Sequence, residues 1–154
     1  MRIEIIAVDK LRSDWARSGV AEYVARIERY CRVERKHVKP SKRAGAEALD
    51  QEGQRLLKTA AIGPRDRLVV LAPQAESLVS EGWANLLDEW RAEGIARAVF
   101  AVGGADGLSP AVIAAADRRI ALGPQTLAHE LAQVVLVEQL YRAWTIMRGE
   151  PYHH

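Results

Sequence analysis

Apolar positions along the chain switch between two spacings, and the switches mark alternating strands and helices. RIEIIAV at 2–8 reads as a strand. Residues 13–31 read as a helix, with Ser13 or Asp14 as N-cap and Val20, Tyr23, Val24 and Ile27 on one face. VERKHV at 33–38 alternates apolar with charged residues, as a strand exposed on one side does. A polar, basic loop with Pro40 covers 39–45, and a second helix at 46–62 stops at Gly63-Pro64. RLVVL at 67–71 is a short buried-type strand. After a loop at 72–79, a third helix at 80–93 carries Trp83, Leu86, Leu87 and Trp90 at helical spacing and ends at Gly94. A β-branched strand at 96–102 leads into a turn at 103–108. Ser109-Pro110 then opens a helix, with Ser as cap and Pro in the first position. A short strand at 119–122 precedes the longest helix, 127–148, which Gly149 and Pro151 stop.

This alternation predicts one α/β domain over 1–154, with a mainly parallel sheet flanked by helices. The rule against knotted chains leads to an ordinary open sheet. The last helix is unusual in being apolar almost all round, at Leu131, Val134, Val135, Leu136, Val137, Leu140 and Trp144. A helix of that kind has to be covered on every side. Either it is central in the fold or its outer face meets a second subunit, and the expectation taken from the pattern is a dimer through this helix.

Composition narrows the class. The 154 residues are 49% hydrophobic and 27% charged, which excludes disordered and fibrous chains. Cys31 is the one cysteine, so neither an internal disulfide nor a cysteine-based zinc site can form. Glu4 interrupts the first apolar run, so the N-terminus is a poor export signal, and no run is long enough for a membrane span. The expected location is the cytoplasm. Net charge is only +2, yet Arg26, Arg29, Arg32, Arg35, Lys36, Lys39, Lys42 and Arg43 are opposed only by Glu28 and Glu34. Such an imbalance in a nearly neutral protein points to phosphate, with Arg26, Arg29 and Arg35 as candidate RNA-binding residues. Spacing by three places Arg26, Arg29 and Arg32 on one helix face.

Two strand-to-helix connections have the chemistry of a ligand site. Gly103-Gly104-Ala105-Asp106-Gly107 follows a buried strand, where glycines let backbone approach a ligand, although a tight turn needs them equally. Leu122-Gly123-Pro124-Gln125-Thr126-Leu127 offers free backbone N–H groups, with Thr126 placed to cap the last helix. No metal is expected: His37 and His129 are isolated, and His153-His154 lacks further ligands at suitable spacing.

Gly103-Gly104-x-x-Gly107-Leu108-Ser109, Thr126-Leu127-x-His129, Glu138-Gln139-Leu140-Tyr141-Arg142-Ala143 and Pro151-Tyr152-His153 together resemble the small bacterial SPOUT-class methyltransferases of the RlmH type, over the whole chain. That resemblance implies a homodimer with a C-terminal trefoil knot, in place of the open sheet. It implies S-adenosylmethionine as cofactor and methylation of N3 of a pseudouridine in 23S rRNA, on the assembled ribosome. It carries cofactor contacts over to Leu71, Gly103, Leu122, Gly123, Pro124, Gln125, Thr126 and Leu127, catalytic roles to Arg142, Tyr152 and His153, and an RNA contact to His154. The chain departs from the family pattern at Ala72, Ala128, Gln133 and His154. Two rival readings rest on less: a non-catalytic ribosome- or RNA-binding protein on the basic stretch, and a nucleotide-binding oxidoreductase on the glycine turn. The second lacks the dinucleotide spacing.

Overall fold

The structure, a computed structural model, describes residues 1–153. Five parallel strands, β1 (Arg2–Val8), β2 (Val33–Val38), β3 (Asp66–Leu71), β4 (Arg97–Val102) and β5 (Arg118–Ile120), form one sheet in the order β2-β1-β4-β3-β5. Every residue of β4, the central strand, is buried, as its continuous apolar run requires. The middle of β2, an edge strand, is exposed.

Alternation along the strands separates two cores. Ile3, Ile5, Ala7, Val69, Ala98, Phe100 and Val102 face α1 (Asp14–Ile27), α3 (Ser80–Ala92) and α5 (His129–Arg148). Ile6, Val8, Leu68, Val70, Val99 and Ala101 face α2 (Gly45–Ala60) and α4 (Pro110–Ala115). At the N-terminal ends of the strands, Glu4 is fully buried on the second face. It accepts from Arg97 at 2.9 Å and from Lys36 at 2.8 Å. Arg97 also bonds Asp66 at 2.6 Å and the carbonyl of Ala60 at 2.8 Å. The Arg97 guanidinium holds the Asp66 carboxyl below its ordinary value.

Several expectations shift. α1 ends at Ile27, where the chain turns so that Arg32 can pair its carbonyl with Ile3 at the mouth of β2. Arg29 and Arg32 therefore lie beyond the helix and do not extend its face. α5 begins at His129, and Thr126 is exposed and does not cap it. Glu130 instead ties the starts of α5 and α1 together: it accepts from the backbone of Arg12 and Ser13 and, at 2.5 Å, from the Ser13 hydroxyl. Those bonds, the Ser13 hydroxyl first, pull its carboxyl down to about 2. Ser109 caps α4 as expected, accepting from Val112 N at 3.3 Å, with Pro110 next.

The apolar last helix is central. α5 lies between α1 and α3 above the sheet, burying Leu136, Val137, Leu140, Ala143 and Trp144. Packing within one chain thus covers Leu136, Val137, Leu140 and Trp144, while Val134 and Val135 stay only partly covered and Leu131 exposed. Outside that packing, Leu131 remains 38% exposed, and Trp15, in the first turn of α1, 55%.

Candidate active site

A cleft opens beyond the C-terminal ends of β3 and β4, where parallel sheets of this kind bind ligands. Three segments build it. Leu71, Ala72 and Pro73 continue β3, the turn at Gly103, Gly104 and Gly107 follows β4, and Leu122, Gly123, Gln125 and Leu127 lead into α5. Val102, His129 and Ala132 complete the wall. Of the predicted cofactor residues, Leu71, Gly103, Leu122, Gly123, Gln125 and Leu127 line this cleft. Pro124 and Thr126 are exposed and do not.

The glycine turn is shaped by its own backbone. A Cβ on Gly103 would lie 2.4 Å from the Gly107 carbonyl oxygen, and Gly107 has φ +89° while its N–H donates to Gly104 O at 3.1 Å. Glycine is needed at 103 to close the turn, whatever approaches it from outside. Pro73 and Ala132, whose small or apolar side chains give no chemical signal, are not legible as site residues in the sequence, and Ala72 stands out there only as a departure from the family pattern. His129 reads there as an isolated residue, although its Nε2 is buried without a partner at the cleft.

The apolar walls suit an aromatic base, and the backbone of the turns suits the polar edge of a nucleoside and an amino-acid group. Leu71, Leu122, Leu127 and the 122–127 backbone therefore fit an adenosyl cofactor.

The predicted catalytic residues form a second cluster. After Gly149 the chain turns back along α5. Tyr152 donates to Glu138 at 3.1 Å, shares a contact of 3.3 Å with the Tyr23 hydroxyl and packs edge-on against Tyr141 at 4.7 Å. Arg142 bonds the same Glu138 oxygen through Nε at 3.0 Å and lies 4.7 Å from the Tyr152 ring centre. Burial, then the Tyr23 and Glu138 contacts, raise the Tyr152 hydroxyl's pKa. Glu138 raises that of Arg142, so the guanidinium stays charged. His153 Nε2 is 3.0 Å from Glu81 on α3. None of Arg142, Tyr152 and His153 lines the cleft. From Ala132, at the cleft, to Arg142 the helix rises about 15 Å.

Arg26 and Arg29 flank this cluster. Arg26 pairs with Glu22 and lies over the rings of Tyr23 at 5.2 Å and Tyr141 at 5.6 Å. Arg29 donates to the Tyr141 hydroxyl at 3.3 Å. Tyr30 donates to Glu150 at 2.6 Å, and burial together with that carboxylate raises its hydroxyl to about 12. Arg35 stands apart, on β2, in a groove beside Ala7, Leu11 and Gln133. His154 lies outside the described residues. Among the described residues, no helix is long and apolar enough to cross a membrane.

Comparison with known proteins agrees with this geometry. The family described as "Predicted SPOUT methyltransferase" matches residues 1–153. The chain is 46% identical over 155 residues to the Ribosomal RNA large subunit methyltransferase H of Anaeromyxobacter sp. (strain K), covering 99% of each. It is 39% identical over 156 residues to the protein of that name from Geotalea uraniireducens (strain Rf4), covering 100% of each. Among solved structures, the A. aeolicus TrmH/SpoU tRNA modifying enzyme matches with a TM-score of 0.47 and 14% identity, over 99% of this chain and 81% of that one. A match over nearly every residue, with full-length relatives at these identities, places the chain in the SPOUT methyltransferase family.

Proposed function

We propose that this chain is a ribosomal RNA methyltransferase that uses S-adenosylmethionine to methylate N3 of a pseudouridine in 23S rRNA on the assembled ribosome. The observation that carries this reading is the apolar, glycine-turned cleft at the C-terminal edge of the sheet, in a chain that matches rRNA large subunit methyltransferases from end to end. The whole of 1–154 acts as one methyltransferase domain, in the cytoplasm. Its C-terminal part is knotted, as the family resemblance implies.

S-adenosylmethionine supplies an electrophilic methyl on a sulfonium. Leu71, Leu122 and Leu127 would hold its base, with Gly103 and the backbone of Gly123, Pro124, Gln125 and Thr126 around its polar groups. Contacts through backbone leave the side chains of Pro124 and Thr126 free to be exposed. Positioning and exclusion of water are the main work of such a site.

The functional unit is a homodimer in which each tail completes the other subunit's cleft. Two observations support this. Arg142, Tyr152 and His153 lie away from their own chain's cleft. Trp15 and Leu131 are exposed in the first turns of the two helices that Glu130 clamps together. Arg142, kept cationic by Glu138, would stabilise charge growing on the imide oxygens as N3 loses its proton. Tyr152, which stays protonated, would donate to the base or stack on it. His153 is the proton acceptor, Arg26, Arg29 and Arg35 bind RNA phosphates, and His154 adds an RNA contact.

The test is methyl transfer from labelled cofactor to whole ribosomes, free subunits and naked rRNA, with the modified nucleotide mapped. Label at a pseudouridine of 23S rRNA in ribosomes is expected. Failure to bind the cofactor, or label on another RNA, would refute the reading.

A further inference from the structure

The cleft has a neighbour on the β1–β2 side. A groove there is lined by Lys10, Arg17, Arg35, His37 and Gln133, with Asp9 as the one carboxylate. Gln133 is 4% exposed and its Nε2 is buried without a hydrogen-bond partner. A buried amide without a partner is destabilising, and a ligand in the groove would satisfy it. Four residues earlier, one turn back along α5, His129 has a buried Nε2 that is also unpartnered, and it lines the cleft. The two orphaned nitrogens thus mark the boundary between groove and cleft.

Among the described residues, two of the cations around Gln133 are free of carboxylates, whereas Lys36, also on the groove, is held by Glu4. Arg35 has no ion pair among the described residues, and neither has Lys10. Arg17 is held at the rim by Asp14 and by the Leu11 and Arg12 carbonyls. Asp9 is already occupied by Arg12 at 2.6 Å. A surface with this surplus of cations suits phosphate better than a second protein, because protein interfaces exclude charge from their centres.

We infer that this groove is the landing site for the RNA strand carrying the target nucleotide: Lys10 and Arg35 hold its phosphodiester backbone, and the Gln133 amide contacts the nucleotide as it enters the cleft past His129. The inference rests on the rRNA methylation reading. It divides the basic stretch in two, with Arg35 on the groove and Arg26 and Arg29 at the tail.

The experiment compares wild type with Lys10→Ala/Arg35→Ala and with Gln133→Leu. It measures affinity for whole ribosomes across a salt series, KM for ribosomes, S-adenosylmethionine affinity, thermal midpoint and sedimentation. The double variant alters exposed side chains only, so it should fold as wild type. Its log affinity against log salt should be shallower by about 2, one for each lost phosphate contact. Gln133→Leu should keep or raise the thermal midpoint, since an unpaired buried amide is gone, while its KM for ribosomes rises roughly tenfold, the loss expected for one hydrogen bond to a nucleotide. Cofactor affinity should be unchanged in both. Wild-type salt dependence in the double variant, or wild-type KM in Gln133→Leu, overturns the assignment. So does dissociation of a dimer in either variant, which would make the groove a contact between copies. A wild type that binds no cofactor or labels no rRNA would instead refute the methylation reading, and the groove's ligand with it.

Discussion

Completion of each site by the partner's tail can be tested by pairing two defective chains. One carries Ala132→Phe, which places a ring in the cleft from a partly exposed position of α5. The other lacks residues 151–154. Within one chain the axial rise of about 15 Å from Ala132 to Arg142 far exceeds the roughly 3–3.5 Å separation of reacting atoms. Arg142, Tyr152 and His153 do not line the cleft of their own subunit. In a two-fold dimer of one chain of each kind, one composite site pairs an intact cleft with an intact tail and the other has neither, so turnover should be about half of wild type. Each defective homodimer should be inactive. The assay is methyl transfer to ribosomes by heterodimers purified through two different tags. A second heterodimer, wild type paired with a chain carrying both defects, reads oppositely. It is inactive if tails act across the interface and about half active if they act within one subunit. Activity in that pair, or none in the first, refutes the cross-subunit argument, and a fully active monomer refutes the dimer itself.

Three further outcomes follow from the geometry. Arg97→Met leaves fully buried Glu4 with only Lys36 and should cost about 3–5 kcal/mol in denaturant unfolding, whereas Glu4→Leu/Arg97→Met should recover most of that; equal losses in both would show that the charges are not coupled. Gly103→Ala drives a Cβ to 2.4 Å from the Gly107 carbonyl oxygen, so either stability falls by about 1–3 kcal/mol or the turn moves and calorimetric affinity for S-adenosylmethionine drops; retention of both would show the turn to be soft. Because the folded Glu130 pKa of about 2 lies below its ordinary 4.5, its contribution is complete above about pH 4.5 and lost as pH falls toward 2. The thermal midpoint of Glu130→Gln should therefore lie below wild type at neutral pH and converge on it over that range, and a constant gap would assign the clamp to neutral hydrogen bonds.

The sequence was most legible where a local pattern decides the outcome. β4 and β3 read directly as buried strands because a parallel strand covered on both faces is apolar throughout, and Ser109-Pro110 announced α4 because capping chemistry is local. Legibility failed where distant segments decide. Residues 28–31 have a helical pattern, but the need to deliver Val33 beside Ile3 ends α1 at Ile27. Thr126 has the chemistry of a cap, but the segment before α5 is committed to the cleft wall, and the long-range carboxylate of Glu130 fastens the start of the helix instead. The same distinction governs the site. Motif resemblance found the cleft loops and the tail as separate strings, and folding shows why they had to be separate: they sit at different levels of α5, one at its first turn and one at its last half. The apolar last helix is in large part a central packing element, so the case for association rests on its uncovered Leu131, Val134 and Val135 and on the gap between cleft and tail. Gln133 stands out in the sequence only as a departure from the family pattern, and it is its burial without a partner, beside unpaired Arg35, that makes it chemically expensive and hence informative.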